Sequence, residues 1–277
     1  MCTCACGFFY VEKTEEHMAE NYISSRNNQW VKLWASLNTK KGRDDNSLFL
    51  CEGLKLCREA VGNARVSAVL LKESKANGDV LTVAQSTQSD ITVLADTVFD
   101  KISSDNSPDG IIFVCEAETF SDIIFPEERV LCLECVRDPG NVGTVIRTAA
   151  AFGIDRIILC DCADIYNPKV LRASMGAAFK MSFTRCTHLS EIIPQLKKCG
   201  KRVVSAALTD TSLVLGKTPI YLDDCFIVGN EGHGISKEAL ALSDETVIIP
   251  MSGKTESLNA ATAAAVLLWE AARTVEL

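Results

Sequence analysis

The second half of the chain alternates short apolar runs with segments of helical character. Strands are predicted at residues 130–135, 156–160, 203–208, 225–228 and 246–249, and helices at residues 143–152, 190–199, 236–242 and 257–275. A glycine ends two of these helices, and Ser236 is placed to cap a third. The alternation predicts an α/β fold with a mostly parallel sheet and helices on both of its faces.

The first half shows a less regular version of the same pattern. Apolar runs at residues 66–71, 91–94 and 111–115 predict strands, and the segments between them are polar or helical, which is typical of a smaller α/β domain. Trp30 and Trp34 fall at helical spacing, and Gly42 is predicted to end that helix.

Residues 120–128, with a proline and several acids, read as a linker. We therefore expect a domain at residues 21–120, a second at residues 126–277, and a loose tail over residues 1–20.

The composition is that of a soluble folded chain of about two domains. Of the 277 residues, 47% are hydrophobic and 23% are charged, which excludes a disordered, collagen-like or coiled-coil protein. No apolar run reaches the roughly 18 residues of a membrane helix, and no basic region precedes the first apolar segment as in a secretory signal. We expect a cytoplasmic protein without a membrane partner.

The formal net charge of −8 argues at first against nucleic acid. Phosphate binding, however, depends on local surface potential, and two segments are basic. Residues 126–202 contain twelve basic and eight acidic residues, and residues 21–43 contain no acid but five basic residues: Arg26, Lys32, Lys40, Lys41 and Arg43. Charge alone permits RNA binding and equally permits two solvated faces.

Thirteen cysteines, an odd number, follow no disulfide framework and are read as reduced thiols, several of them small core residues. Cys2, Cys4 and Cys6 lack further His or Cys residues nearby that would complete a tetrahedral metal site. Cys132 and Cys135 fall in an apolar run at a spacing that favours opposite faces of a strand, so neither a redox nor a metal site is predicted there.

Three loops that follow predicted strands combine glycines with hydrogen-bonding side chains. They occupy residues 138–143, 229–234 and 250–259. Ligands of open parallel sheets bind at the carboxyl ends of the strands, where these loops lie. Two familiar nucleotide motifs are not intact there, because Lys237 replaces the third glycine of a dinucleotide fingerprint and Ile248 the first glycine of a P-loop.

Taken together, the three loops resemble the ordered motifs of the SpoU (TrmH-type) RNA 2′-O-ribose methyltransferases. The matching segments are DPGNVGTVIRTA at residues 138–149, IVGNEGHGIS at residues 227–236, and IPMSG with SLN within residues 249–259. Residues 168–176, which contain Arg172, resemble a segment of the members that act on ribosomal RNA. Residues 25–32 and 49–53 resemble the substrate-binding domain of that subgroup.

This resemblance implies a trefoil knot in the second domain, S-adenosylmethionine as cofactor, RNA as substrate and a homodimer that builds its site across the interface. By position, Gly229, Ile249 and Leu258 would line the cofactor pocket. The catalytic group implied by the motifs comprises Asn141, Arg147, Glu231, Ser257 and Asn259, and Arg172 joins the five basic residues as a candidate RNA contact.

These residue types suit methyl transfer to a ribose oxygen. A 2′-hydroxyl is a poor nucleophile until its proton leaves or its oxyanion is stabilised. A guanidinium is effectively always protonated, so we assign Arg147 to oxyanion stabilisation and phosphate clamping rather than to the role of base. Glu231 could orient Arg147, and the amides and the hydroxyl could position the substrate.

Each of these residues also has a plainer interpretation. Asn141 could satisfy turn backbone, Arg147 could be solvated, Glu231 could cap a loop, and Ser257 could be the N-cap of the last helix. His233 is not assigned to catalysis. The alternatives for the whole chain are an RNA-binding or ribosome-assembly protein without turnover, the same chemistry on transfer RNA, and a nicotinamide dehydrogenase.

Overall fold

The computed structural model describes residues 21–118, 120–121, 123–230, 232–254 and 257–273. The predicted loose tail over residues 1–20, with its three cysteines, lies outside the described residues, and so does Glu231. Within the described ranges, no helix is long and apolar enough to cross a membrane.

The first unit, residues 21–118, forms a five-stranded mixed sheet in the order β1-β4-β3-β5-β2. Strand β5 runs antiparallel to both of its neighbours, and the remaining pairs are parallel. Its strands are β1 (Tyr22–Ile23), β2 (Leu48–Glu52), β3 (Val66–Lys72), β4 (Ile91–Leu94) and β5 (Ile111–Glu116), and its α-helices are α1 (Gln29–Ser36), α2 (Lys40–Asn46), α3 (Leu54–Ala60), α4 (Gly78–Gln85) and α5 (Asp96–Ile102). The three strands predicted in this half are confirmed.

The second unit, residues 130–273, forms a seven-stranded sheet in the order β10-β12-β9-β11-β6-β7-β8, with every pair parallel. Its strands are β6 (Val130–Glu134), β7 (Arg156–Cys160), β8 (Ser182–Cys186), β9 (Val203–Ala206), β10 (Leu213–Val214), β11 (Cys225–Val228) and β12 (Glu245–Ile248). Its α-helices are α6 (Pro139–Ala151), α7 (Pro168–Ser174), α8 (Leu189–Lys198), α9 (Lys237–Leu242) and α10 (Ala260–Arg273).

Helices cover both faces of this parallel sheet, as the alternating pattern predicts. One core contains the apolar faces of α6 and α10, and the opposite core contains those of α8 and α9. The strands β6 and β7 are buried along their whole length, which explains their continuous apolar composition. Ala260, Ala261, Ala264 and Leu268 pack in the α6–α10 core, so the alanine-rich face of the last helix serves packing.

Three helix boundaries differ by several residues from the sequence prediction. Helix α6 begins at Pro139, four residues before the predicted start at residue 143. Gly42 does not end the first helix, which stops at Ser36, but lies inside α2. A Cβ at Gly42 would stand 2.1 Å from the carbonyl oxygen of Ser36, so the glycine permits a close approach of two helices rather than a break. The last helix begins at Ala260 and not at Ser257.

Candidate active site

The loops singled out in the sequence meet at the carboxyl edge of the second sheet. From β6 the chain continues to β7 and β8 on one side, while β11 and β9 lie on the other side of β6. The strand order therefore reverses direction between β6 and β11. Open parallel sheets bind ligands at such a switch point. A cavity of about 380 Å³ opens at this edge, within the size range of small-molecule sites.

The residues expected to bind a cofactor line this cavity together. Gly229 comes from the loop after β11, and Ile249 and Leu258 come from the segment between β12 and α10. Ser257 also lines the cavity, and the wall is completed by Leu208, which follows β9. Three segments far apart in sequence therefore form one pocket with a mainly apolar wall.

The loop after β11 is folded tightly on itself, and Gly229 permits this. A Cβ at Gly229 would lie 2.4 Å from the carbonyl oxygen of Gly234, closer than any side chain tolerates. The Gly234 amide donates to the Asn230 carbonyl oxygen at 2.9 Å, which closes the loop. His233 lines the cavity from this loop, and its backbone amide donates to Asn230 Oδ1 at 3.3 Å.

Asn230 holds this loop in place, a role that the sequence analysis missed. Its Oδ1 also accepts the amide of Gly232 at 2.7 Å, and its Nδ2 donates to the carbonyl oxygen of Cys135 at 3.1 Å. The side chain thereby ties the loop after β11 to the end of β6. An asparagine beside a glycine that follows an apolar strand was the available signal, because Asn side chains bond to nearby loop backbone.

Glu134 supplies a second tie that the sequence analysis missed. This buried carboxylate at the end of β6 accepts the backbone amide of Ser236 at 2.9 Å and its hydroxyl at 2.7 Å. Ser236 caps α9 through the amide of Ala239, as predicted. A glutamate that closes an otherwise apolar strand was the sequence signal, since a buried charge must be paired.

Asn141 and Asn259 lie in contact, although one is at the middle of the chain and the other is near its end. Asn259 Nδ2 donates to Asn141 Oδ1 at 2.9 Å. Asn259 Oδ1 accepts the amides of Ala261 and Thr262 in the first turn of α10, so Asn259 occupies the capping position that Ser257 was expected to hold. Asp138 caps α6 by accepting the Asn141 amide at 2.8 Å.

Arg147 lies on the exposed surface of α6, two turns beyond the start of the helix that carries Asn141. It forms no salt bridge with any residue of the described ranges. The pairing of Arg147 with Glu231 stays a prediction, because Glu231 is not among the described residues. A solvent-facing guanidinium on the helix that carries Asn141 is available to an anionic substrate.

Two thiols near the same edge stay protonated and are not nucleophiles. Burial, followed by the neighbouring carboxylate of Asp161, raises the pKa of Cys135 above its ordinary value. Burial raises the pKa of Cys162 to about 12. Reactive cysteines need a lowered pKa, so covalent catalysis by these thiols is not supported.

The basic residues expected to contact RNA divide into two groups. Lys32, Lys40, Lys41 and Arg26 are exposed in the first unit, with Lys40 paired to Asp44 and the Arg26 Nε donating to the Thr97 carbonyl oxygen. Arg43 is only 4% exposed and pairs with Asp164 of the second unit. The expectation that Arg43 contacts RNA is therefore wrong, because its guanidinium is enclosed by protein.

Arg172 lies on α7 at the junction of the two units. Its Nη1 donates to Ser104 Oγ at 2.9 Å and lies 3.9 Å from a carboxylate oxygen of Glu52. The side chain keeps 37% of its surface exposed, so it remains accessible to a ligand beside that junction.

Comparison with known proteins agrees with this geometry. The model of the SpoU rRNA Methylase family matches residues 128–269, and the model of the MRM3-like substrate binding domain matches residues 28–112. The chain is 35% identical over 250 residues to a 23S rRNA (guanosine(2553)-2′-O)-methyltransferase, RlmP, of Bacillus subtilis, which covers 89% of this chain and 97% of that protein.

Two further proteins are similar over nearly the whole chain. A 23S rRNA (uridine(2479)-2′-O)-methyltransferase of Streptomyces viridochromogenes is 29% identical and covers 94% of each chain. The crystal structure of an AdoMet-bound rRNA methyltransferase from Sinorhizobium meliloti superposes with a TM-score of 0.82 at 29% identity, covering 93% of this chain and 99% of that one.

Proposed function

Because the chain belongs to the SpoU rRNA methylase family, we propose that it transfers a methyl group from S-adenosylmethionine to a ribose 2′-hydroxyl of ribosomal RNA. The membership confirms the resemblance drawn from the three loop motifs and the expectation of a cofactor-dependent RNA methyltransferase. The observation that carries the proposal for this chain is the convergence of the second and third loops on one cavity, together with the Asn141–Asn259 hydrogen bond that joins the first loop to the third.

The cavity suits the cofactor in size and chemistry. Its wall is formed by glycine backbone and by apolar side chains such as Ile249 and Leu258, which fit the nucleoside and leave backbone groups to bind its polar edges. The closed loop at Gly229 brings that backbone close to the cavity. When bound, S-adenosylmethionine supplies an activated methyl group on a sulfonium sulfur.

The side chains of this protein act on the ribose. The 2′-oxygen would bond to the methyl carbon as the carbon–sulfur bond breaks, which would leave a neutral thioether, and the hydroxyl proton would pass to solvent. Negative charge that develops on the oxygen needs a fixed cation or donor nearby. We assign that role to Arg147, together with a clamp on an adjacent phosphate. Asn141, Asn259 and Ser257 position the sugar, and Glu231 orients the guanidinium.

RNA is held by the exposed cations of the first unit, with Arg172 at its border. Trp30 adds an aromatic face to this surface, since it is 51% exposed and stacks on the buried Trp34 with ring centroids 6.3 Å apart. Aromatic side chains beside cations suit unpaired bases of RNA. These cations lie in a stretch of chain, residues 21–43, that is basic although the whole chain has a net charge of −8.

We further propose a homodimer and a knotted second unit. Helices α6 and α10 pack together, and on their outer side Trp269 is 60% exposed against the edge of Phe152. An exposed tryptophan beside the active-site helices suits a second copy. Sedimentation should give a dimer for the natural chain and a monomer for Trp269→Glu. The knot is supported by the return of residues 249–273 to pack beside the loops after β6 and β11.

Methyl transfer tests the proposal directly. Purified protein and S-adenosylmethionine labelled in the methyl group should label ribosomal RNA taken from cells that lack the protein, and the label should map to a ribose. Transfer RNA serves as the competing substrate. If only transfer RNA is labelled, transfer RNA is the substrate. If no RNA is labelled and titration with the cofactor releases no heat, the result favours an RNA-binding protein without turnover.

A further inference from the structure

A buried carboxylate is shared by the two units. Asp164, which follows β7, has a side chain that is 6% exposed. Its Oδ2 accepts Nε and Nη2 of Arg43 at 2.9 and 2.8 Å, and its Oδ1 accepts Nη2 of Arg185 at 2.8 Å. Arg43 belongs to the first unit and also donates from Nη1 to the carbonyl oxygen of Leu37 at 2.8 Å. The charge pair is thus complete only when both units are in contact.

Apolar packing surrounds this charge pair. Phe49 of the first unit stacks on Tyr166 of the second, with ring centroids 4.3 Å apart and an angle of 19° between the rings. Leu171 of α7 is fully buried within the core of the first unit. The junction therefore has the character of a protein interior and not of two domains joined only by a tether, for which relative motion is the default.

The segment that joins the units is itself held in place. The guanidinium of Arg185 lies over the ring of Phe120, 4.1 Å from its centroid. Arg156 donates to Glu128 from Nε and Nη2 at 2.9 and 2.7 Å, and from Nη1 to the carbonyl oxygen of Ser121 at 3.2 Å. Both ends of the predicted linker thus lie against the second unit.

The buried pair is connected to the helix that carries the candidate catalytic residues. Asp164 lies four residues before α7, and α7 packs on α6. A Cβ at Gly143 in α6 would lie 2.5 Å from the carbonyl oxygen of Val170 in α7. If the first unit shifts relative to Asp164, its position relative to Asn141 and Arg147 on α6 therefore shifts as well.

We propose that Arg43 and Asp164 are positioning residues that lock the RNA-holding unit against the methyltransferase unit in a single orientation. The inference rests on the proposed function for its consequence, which is that RNA bound by the first unit presents its ribose at the cleft of the second. The pair touches neither RNA nor cofactor. It sets the distance and angle between the surface that binds RNA and the site that modifies it.

Substitutions on the two sides of the pair test the lock. Arg43→Met and Asp164→Asn should each raise KM for ribosomal RNA by about 5- to 150-fold, the usual range for coupling between two sites. The Kd for S-adenosylmethionine should not change. Arg43→Lys keeps the positive charge but not the two parallel N–H donors, so its KM for ribosomal RNA should lie between those of the natural chain and Arg43→Met. The double variant should be no worse than the worse single variant, because both remove one interaction.

Small-angle X-ray scattering provides a readout that does not depend on activity. The variants should show a larger maximum dimension than the natural chain. Arg58→Ala is the matched control, since Arg58 and Asp79 form an exposed pair within the first unit at 2.7 Å, and it should change neither scattering nor KM.

Two results would overturn the lock. One is a folded Arg43→Met or Asp164→Asn protein with unchanged scattering and unchanged KM. The other requires no variant and so does not depend on their folding: scattering of the natural chain that fits only a mixture of orientations. If the natural chain methylates no RNA, the proposed function fails, while the scattering measurements still decide whether the two units are locked.

Discussion

The amide nitrogen of Asn259 donates to the side-chain oxygen of Asn141 at 2.9 Å, joining the starts of α6 and α10 across 118 positions of sequence. Asn259 uses its two ends for different purposes, because its oxygen caps α10 and its nitrogen contacts Asn141. Stability and activity can therefore be separated at one residue.

Asn259→Asp should keep the cap and lose the donor. We expect a free energy of unfolding close to that of the natural chain and a large loss of kcat. Asn259→Ala should lose both, with a decrease of about 0.5–2 kcal/mol in the free energy of unfolding. Denaturant titration and methyl transfer measure the two effects, and full activity of Asn259→Asp would remove this contact from the mechanism.

Gly229 tests the shape of the cofactor loop. Gly229→Ala places a methyl 2.4 Å from the Gly234 carbonyl oxygen, so the loop must open. We expect S-adenosylmethionine to bind at least about tenfold more weakly, which corresponds to about 1.4 kcal/mol. Gly232→Ala in the same loop is the milder comparison, because its Cβ would meet only a side-chain atom, Asn230 Oδ1, at 3.3 Å, and a small shift of that side chain relieves the contact. If calorimetry gives both variants the same affinity for S-adenosylmethionine, the tight loop at Gly229 is not required for cofactor binding.

Arg147 should affect the chemical step and not cofactor binding. Removal of one preorganised donor to a developing oxyanion costs about 10²- to 10³-fold in kcat, and we expect Arg147→Ala to fall in this range. Arg147→Lys should recover only part of the lost kcat, since a lysine cannot form the bidentate contact with a phosphate. Single-turnover transfer at saturating cofactor is the measurement, and a normal rate for Arg147→Ala would exclude the residue from catalysis.

Trp30 should contribute to RNA affinity by stacking. Base stacking on an aromatic side chain is worth about 1–3 kcal/mol by alanine substitution, so Trp30→Ala should weaken binding by about 5- to 150-fold. Trp30→Phe keeps a ring and should retain most of the affinity. Fluorescence anisotropy of a labelled ribosomal RNA fragment measures the effect. Equal affinity of all three proteins would mean that RNA does not reach this surface.

Regular elements were predictable because they depend on local pattern. Continuous apolar runs identified β6 and β7, and the alternation with helices gave the parallel sheet with two covered faces. The resemblance of the loop motifs to the SpoU family likewise implied one pocket for Gly229, Ile249 and Leu258, and these residues do line a single cavity at the carboxyl edge of the parallel sheet.

Other features depend on contacts between distant segments and were not readable locally. Arg43 shares a basic stretch with exposed lysines, and only the placement of Asp164 in the fold decides that it is buried. Gly42 is typical of a helix end by residue type, and only its close contact with Ser36 in the fold explains why a glycine lies inside α2. Ser257 and Asn259 are both favourable N-cap residues by type. Because α10 begins at Ala260, Asn259 is the residue that caps it.

The ion pair between Arg156 and Glu128, at the end of the linker, should make stability sensitive to acid. Burial by itself would raise the pKa of Glu128, but hydrogen bonds from Arg156 and the Phe125 amide hold it below its ordinary value of 4.5. A carboxyl with a lowered pKa in the folded state stabilises above its unfolded pKa, and this contribution is lost as pH falls through the folded value.

Glu128→Gln should therefore lower the free energy of unfolding by about 1.5–3 kcal/mol at pH 7, because a hydrogen-bonded charge is removed. As pH falls below about 4.5, the difference between the two proteins should shrink, since the natural carboxyl becomes neutral as well. Urea titrations of both proteins at several pH values measure this difference in the free energy of unfolding. A constant difference from neutral to acidic pH would show that ionisation of Glu128 does not contribute to the stability of the protein.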